Sequence, residues 1–112
     1  MYTRVYKLKC MDGPKMNRFR IVTTQGKTFE QLMKTYSVKI PGFVSAVDDH
    51  LDDERWEITT TWESKEKYLE AQKHPFRKMF WNRFEVEALK HDIYLTVTDN
   101  EGELWEPFAD LF

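Results

Sequence analysis

Residues 56–71 read WEITTTWESKEKYLEA. Trp56, Ile58, Thr60 and Trp62 alternate with Glu57, Thr59, Thr61 and Glu63, the period of two that sends successive side chains to opposite faces of a strand. At Ser64 the period changes. Its hydroxyl can cap the free amides of a first helical turn, and Lys65-Glu66-Lys67-Tyr68-Leu69-Glu70-Ala71 are good helix formers without Gly or Pro. The strand therefore runs directly into a helix. A sheet is expected beside this strand, with helices folded over one of its faces.

Upstream, the polar run Asp52-Asp53-Glu54 is a turn, and residues 43–51 form the preceding strand, paired antiparallel with 56–63. Before it, Thr28 and Gln31 fit a capping box. Phe29, Leu32, Met33, Tyr36 and Ile40 make the apolar stripe of an amphipathic helix, stopped by Pro41-Gly42. Residues 18–24 (RFRIVTT) alternate and read as a strand. Asp12-Gly13-Pro14 reads as a turn, and residues 2–9 (YTRVYKLK) as a first strand in a hairpin with 18–24. Downstream, His74-Pro75 interrupts the helix, and Pro75 suits the first turn of a second helical piece that ends between Glu85 and Lys90. Residues 92–98 (DIYLTVT) are a final strand, and 99–102 a turn. The tail 103–112 carries Leu104, Trp105, Phe108, Leu111 and Phe112, too apolar to float free, and is expected to dock on its own domain or on a partner subunit.

The 112 residues make a single domain, and the net charge of −2, with acids and bases interspersed, offers no footprint for nucleic acid or an anionic membrane. The strand 56–63 interleaves acids with its aromatics, which also speaks against a nucleic-acid-binding sheet. No apolar run of ~18 residues and no signal-peptide pattern is present, so a cytoplasmic protein is expected. The lone Cys10 cannot form an internal disulfide and has no neighbouring base, and zinc-type Cys/His spacing is absent, so no zinc site is expected. Aromatic residues reach 15%, which fits a packed core, an aromatic pocket or an oligomer interface.

Without its first strand the order is β-α-β-β-α-β, an α+β, ferredoxin-like antiparallel sheet with helices on one face, plus an extra N-terminal strand and a C-terminal tail. Three features point further: Ile40-Pro41-Gly42-Phe43 closing a helix, Thr60-Thr61-Trp62-Glu63-Ser64 ending a strand, and Tyr68 followed by His74-Pro75-Phe76. Together they resemble the antibiotic biosynthesis monooxygenase family of dimeric α+β barrel proteins, over roughly residues 18–98. The resemblance implies a homodimer with facing sheets and a pocket between each sheet and its helices. It also implies, for some members, oxygenation of polyphenols or quinols without metal or flavin. The haem-degrading branch uses an Asn on the first core strand, a Trp on the second helix and a His further on. Those positions fall here near Phe19, at Ala71 and at Trp81, so that branch is disfavoured.

Among candidate site residues, His74 stands first. At a break between helical pieces its imidazole can enter a pocket and take a phenolic proton; the alternative is an exposed residue stabilising a helix end. Trp62, Tyr68, Phe80, Trp81 and Phe84 are candidates to line an aromatic cavity for a flat ligand, or else are core. Tyr6 and Tyr94 can orient a polar ligand or reach solvent. His50, on one strand face with Asp48, is an oriented base or a surface residue flanking a turn, and His91 is a favourable charge at a helix C-terminus. Arg18 and Arg20 share a strand face and can bind an anion, or else read as an exposed face or dimer contacts. Two functions follow. One is a cofactor-independent oxygenase acting on an aromatic quinol or polyphenol. The other is a non-catalytic dimeric module that binds a small hydrophobic ligand or a protein partner. Ile, Trp, Tyr and Val on both sheet faces would favour a homodimer.

Overall fold

A computed structural model describes residues 1–102 and 104–105. The elements are β1 (Tyr2–Lys9), α1 (Gly13–Thr24), α2 (Phe29–Lys39), β2 (Phe43–His50), β3 (Arg55–Trp62), α3 (Lys65–Ala71), α4 (Pro75–Lys90), β4 (Tyr94–Asp99) and β5 (Leu104–Trp105). The strands form one antiparallel sheet in the order β2-β3-β1-β4-β5. The first four strands have the ferredoxin-like order, with two helical crossovers. Caps act where the sequence put them. Thr28 and Gln31 exchange both bonds of a capping box, and Ser64 Oγ accepts from the Lys67 amide at 3.1 Å. Gly42 turns the chain from α2 into β2 at φ +85°, and a Cβ there would lie 2.6 Å from Cβ of Lys67.

Residues 18–24 are helical, which corrects the hairpin. Asp12 is the N-cap of α1, its side chain accepting from the Lys15 amide at 3.2 Å, and Pro14 sits in the first turn. Met16, Phe19 and Thr23, spaced by three and four, turn inward and are buried. The β-branched run Ile21-Val22-Thr23-Thr24 reads as strand in isolation, but tertiary packing overrides it. The two threonine hydroxyls donate back to the Phe19 and Arg20 carbonyls at 2.8 Å, so the helix leaves them satisfied. Consequently β1 is no extra strand. It is the first strand of the β-α-β-β-α-β unit, lies between β3 and β4, and the unit starts at Tyr2 rather than near residue 18. The placement of Phe19 on a first core strand falls with it; β1 itself contains no Asn.

Register fixes the faces. Tyr2, Arg4, Tyr6 and Leu8 of β1 stand beside Trp62, Thr60, Ile58 and Trp56 of β3, with Leu95 and Val97 of β4 on the same side, under the helices. The opposite face carries Thr59, Thr61, Thr96 and Thr98, with Val5, Val47 and Tyr94 among them. Trp56, Ile58 and Trp62 thus lie on the helix side, and the opposite face is richer in threonine than the sequence reading allowed. The backbone of Leu104 and Trp105 pairs with Thr98 and Val97, extending the domain's own sheet. Phe108, Leu111 and Phe112 lie outside the described residues.

Candidate functional site

A cavity of about 50 Å³ lies between the covered sheet face and helices α2 and α4. Strand alternation delivers Tyr6, Ile58, Thr60 and Trp62 to its floor. Helical spacing delivers Tyr36 from α2 and Arg77, Phe80, Trp81 and Phe84 from α4. A larger recess of about 360 Å³ adjoins it, sharing Thr23, Leu32, Phe80 and Phe84, with Lys27 and Arg83 on its wall.

Four of the five aromatic candidates, Trp62, Phe80, Trp81 and Phe84, line this cavity. The pocket and core readings coincide for Trp62 and Phe84, which are buried and pack in the two hydrophobic clusters the cavity separates. Trp62 Nε1 donates to Thr60 Oγ1 at 3.1 Å, and Trp81 stacks on Phe84 with centroids 5.2 Å apart. Tyr68 is buried behind the wall, against Trp62 at 5.1 Å, and its hydroxyl accepts from Arg77 Nη2 at 3.2 Å and Gln72 Nε2 at 3.0 Å. Tyr68 therefore positions Arg77.

His74 is the N-cap of α4: its Nδ1 accepts from the Phe76 amide at 3.2 Å. It is not among the residues lining the cavity or the adjoining recess. His50 is oriented by Asp48 at 3.1 Å, and Asp48 also accepts from Trp56 Nε1 at 3.0 Å. The pair lies in a separate open groove that includes Arg20 and Thr28. His91 Nδ1 lies 2.9 Å from the Glu87 carbonyl at the C-terminus of α4. Arg20, on a helix rather than a strand, donates to the Asp52 and Arg55 carbonyls and ties α1 to the β2–β3 turn. Tyr94 is exposed on the open sheet face, and Cys10 is buried with Sγ 3.6 Å from the His91 carbonyl.

The sequence reading missed two buried arginines. Arg4, only 4% exposed, donates through Nε to the Tyr6 hydroxyl at 3.2 Å and through Nη1 to that of Tyr2 at 3.3 Å. Its guanidinium lies 4.3 Å from the centroid of the Tyr68 ring, and Tyr2 in turn donates to Asp99 at 2.8 Å. Arg77 lies 5.0 Å from the Trp81 centroid. The signal was present: each is a cation at an inward position of an otherwise apolar face. Burial pushes the Tyr68 phenol up to about 12, and burial together with the bond to Asp99 does the same for Tyr2. Burial also holds Tyr36 well above the usual tyrosine range, against the partial pull of Arg77. At neutral pH these hydroxyls are protonated and act as donors rather than bases. Among the described residues, no three His, Cys, Asp or Glu side chains gather as a metal-binding group. Among the described residues, too, no helix is long and apolar enough to cross a membrane.

No family model and no curated protein matches the sequence. Solved structures do match. A proposed antibiotic biosynthesis monooxygenase from Deinococcus radiodurans superposes with a TM-score of 0.60 at 17% identity, over 95% of this chain and 97% of that one. A dimeric ferredoxin-like protein from an uncultured marine organism gives 0.58 at 16%, over 95% and 96%. SnoaB, a cofactor-independent oxygenase from Streptomyces nogalater, gives 0.53 at 12%, over 94% and 90%. At such identities the likeness is one of fold: the chain has the ferredoxin-like fold seen in structures of antibiotic biosynthesis monooxygenases.

Proposed function

We propose that this protein is a monooxygenase-like enzyme that oxygenates a flat, electron-rich aromatic molecule, a quinol or polyphenol, without metal or flavin. The observation that carries the reading is the aromatic-lined cavity taken together with the recess of about 360 Å³ that adjoins it. Aromatic rings from α4 and β3 surround a predominantly apolar space, and Tyr6, Tyr36, Thr60 and Arg77 are among the residues of its wall that carry polar groups. The likeness to SnoaB, a cofactor-independent oxygenase, supports the reaction type. In this reading the substrate supplies the electrons to dioxygen. The rings hold it and exclude water, and protonated tyrosines donate hydrogen bonds to its oxygens. Protein-dependent dioxygen uptake with a quinol tests this.

His74 is left out of the proposed chemistry, because its Nδ1 is engaged by the Phe76 amide. His74→Asn should keep the cap and leave both stability and any turnover near the parent's values. His74→Ala should lower stability by about 0.5–2 kcal/mol in urea denaturation. A large loss of turnover in both variants would return His74 to the role of base.

A second reading has its own support. The described cavity wall contains no His, Asp, Glu, Lys or Cys, so a module that binds a hydrophobic ligand without converting it fits the same geometry. Ligand binding without oxygen uptake would select it.

The proposal includes a homodimer formed through the uncovered sheet face. Val5, Val47 and Tyr94 among threonines offer an amphipathic surface there, and one similar structure is dimeric. Light scattering at micromolar concentration should give twice the chain mass of 13.6 kDa; the mass of one chain would count against this arrangement.

A further inference from the structure

We propose that the inner cavity is a dioxygen site: it holds the gas between the sheet and α4, while the aromatic ligand occupies the adjoining recess with one edge turned inward. The proposal rests on the oxygenase reading above and adds where the second substrate sits.

Size separates the two spaces. A water molecule needs about 10–15 Å³ of such space, and benzene sits in an apolar cavity of about 150 Å³. The inner cavity, at about 50 Å³, has room for a diatomic molecule and is too small for an aromatic ring. The recess, at about 360 Å³, has room for one ring or more. Thr23, Leu32, Phe80 and Phe84 border both spaces. A molecule in the inner cavity is therefore parted from one in the recess by a single layer of side chains. Within that layer Thr23 and Phe84 are buried, and Phe84 is wedged between Phe19 and Trp81, each with its ring centroid 5.2 Å away. Leu32 and Phe80 are half-buried, so the passage between the spaces runs past them.

The chemistry of the wall selects a gas over water. A buried water is retained by roughly two to four polar partners, and apolar cavities stay dry and take up gases such as xenon. Four hydroxyls of this wall are already engaged. That of Tyr6 accepts from Arg4 Nε at 3.2 Å, and that of Thr60 from Trp62 Nε1 at 3.1 Å. Thr23 and Thr24 donate back to carbonyls of their own helix at 2.8 Å. Arg77 gives Nη2 to Tyr68, and its Nε is fully buried. What faces the space is predominantly ring and methyl surface, with which a small nonpolar molecule makes dispersion contacts without displacing hydrogen bonds.

The test reads the isoleucine δ-methyl signals by NMR. The chain has four isoleucines, of which Ile58 alone lines the inner cavity, while Ile40 and Ile93 are buried elsewhere. Dioxygen is paramagnetic and broadens the signals of methyls beside it. Under dioxygen pressure the Ile58 methyl should broaden more than those of Ile40 and Ile93, and xenon should shift it and relieve the broadening. Met33 lines the inner cavity and not the recess, so Met33→Phe fills the former from α2. That variant should lose the selective broadening. It should also raise KM for dioxygen about fivefold or more, and move KM for the quinol much less, as expected when one substrate's binding is removed. If the variant does not fold, the parent's spectra under the two gases decide alone. Equal broadening of the three buried isoleucines overturns the site, and quinol-dependent oxygen uptake would then leave the oxygenase reading standing. Selective broadening with an unchanged KM for dioxygen in folded Met33→Phe also overturns it, as gas uptake unconnected with turnover. Absence of uptake with every quinol overturns the reading and the dioxygen assignment together.

Discussion

Trp62→Ala should lower the free energy of unfolding by about 3–5 kcal/mol, the usual cost of deleting a large buried aromatic. Trp62 is 1% exposed and meets the rings of Phe43 at 5.2 Å and Tyr68 at 5.1 Å. It joins the last residue of β3 to α2 and α3, so its loss opens a void where three elements meet. The removed indole also leaves Thr60 Oγ1 without its donor. Trp62→Phe, which keeps most of the apolar surface, should cost clearly less. Urea denaturation followed by far-ultraviolet dichroism measures both. A loss under 1 kcal/mol for Trp62→Ala would mean that the site collapses freely and that Trp62 is not part of a rigid wall.

Arg4→Ala should be comparably severe, again about 3–5 kcal/mol, for an electrostatic reason. The guanidinium donates to two buried tyrosines and lies over a third, and one of the former holds the buried Asp99. Truncation leaves the Tyr2 and Tyr6 hydroxyls short of a donor and Asp99 without the nearby cation. It also removes the methylene stem from the core. Arg4→Met keeps that stem and should recover part of the loss, whereas Arg4→Ala with Asp99→Asn should be less than additive, because the two share one network. Strict additivity of the two would show that Arg4 and Asp99 do not sense each other.

The fold was legible where one period ran cleanly and a cap marked its end. The strand of residues 56–62, the Ser64 cap and the Thr28 capping box satisfy local physics and tertiary packing at once. Residues 18–24 failed because a seven-residue, β-branched stretch satisfies a period of two by composition alone. The inward spacing of Met16, Phe19 and Thr23 becomes visible only once a core exists to receive it. Alternation also cannot say which face of a sheet will be covered, so the threonine-rich open face was hidden. At the site, Phe80, Trp81 and Phe84 were legible as one helical stripe. Arg4 and Arg77 were not, because a cation on an apolar face is ordinarily read as reaching solvent, and only the surrounding tyrosines and tryptophan show that it does not.

The central claim is that the cavity between the sheet and α4 binds an electron-rich aromatic and brings it to reaction with dioxygen. An oxygen electrode tests it most directly, using a panel of mono- and polycyclic quinols and the purified protein without added metal or flavin. Protein-free autoxidation of each quinol is the control. At least one member of the panel should consume dioxygen ~10²-fold or more faster with the protein than without it, the scale expected of preorganised donors on a developing anion. Uptake no faster than autoxidation for every quinol, with the protein folded, would contradict the account.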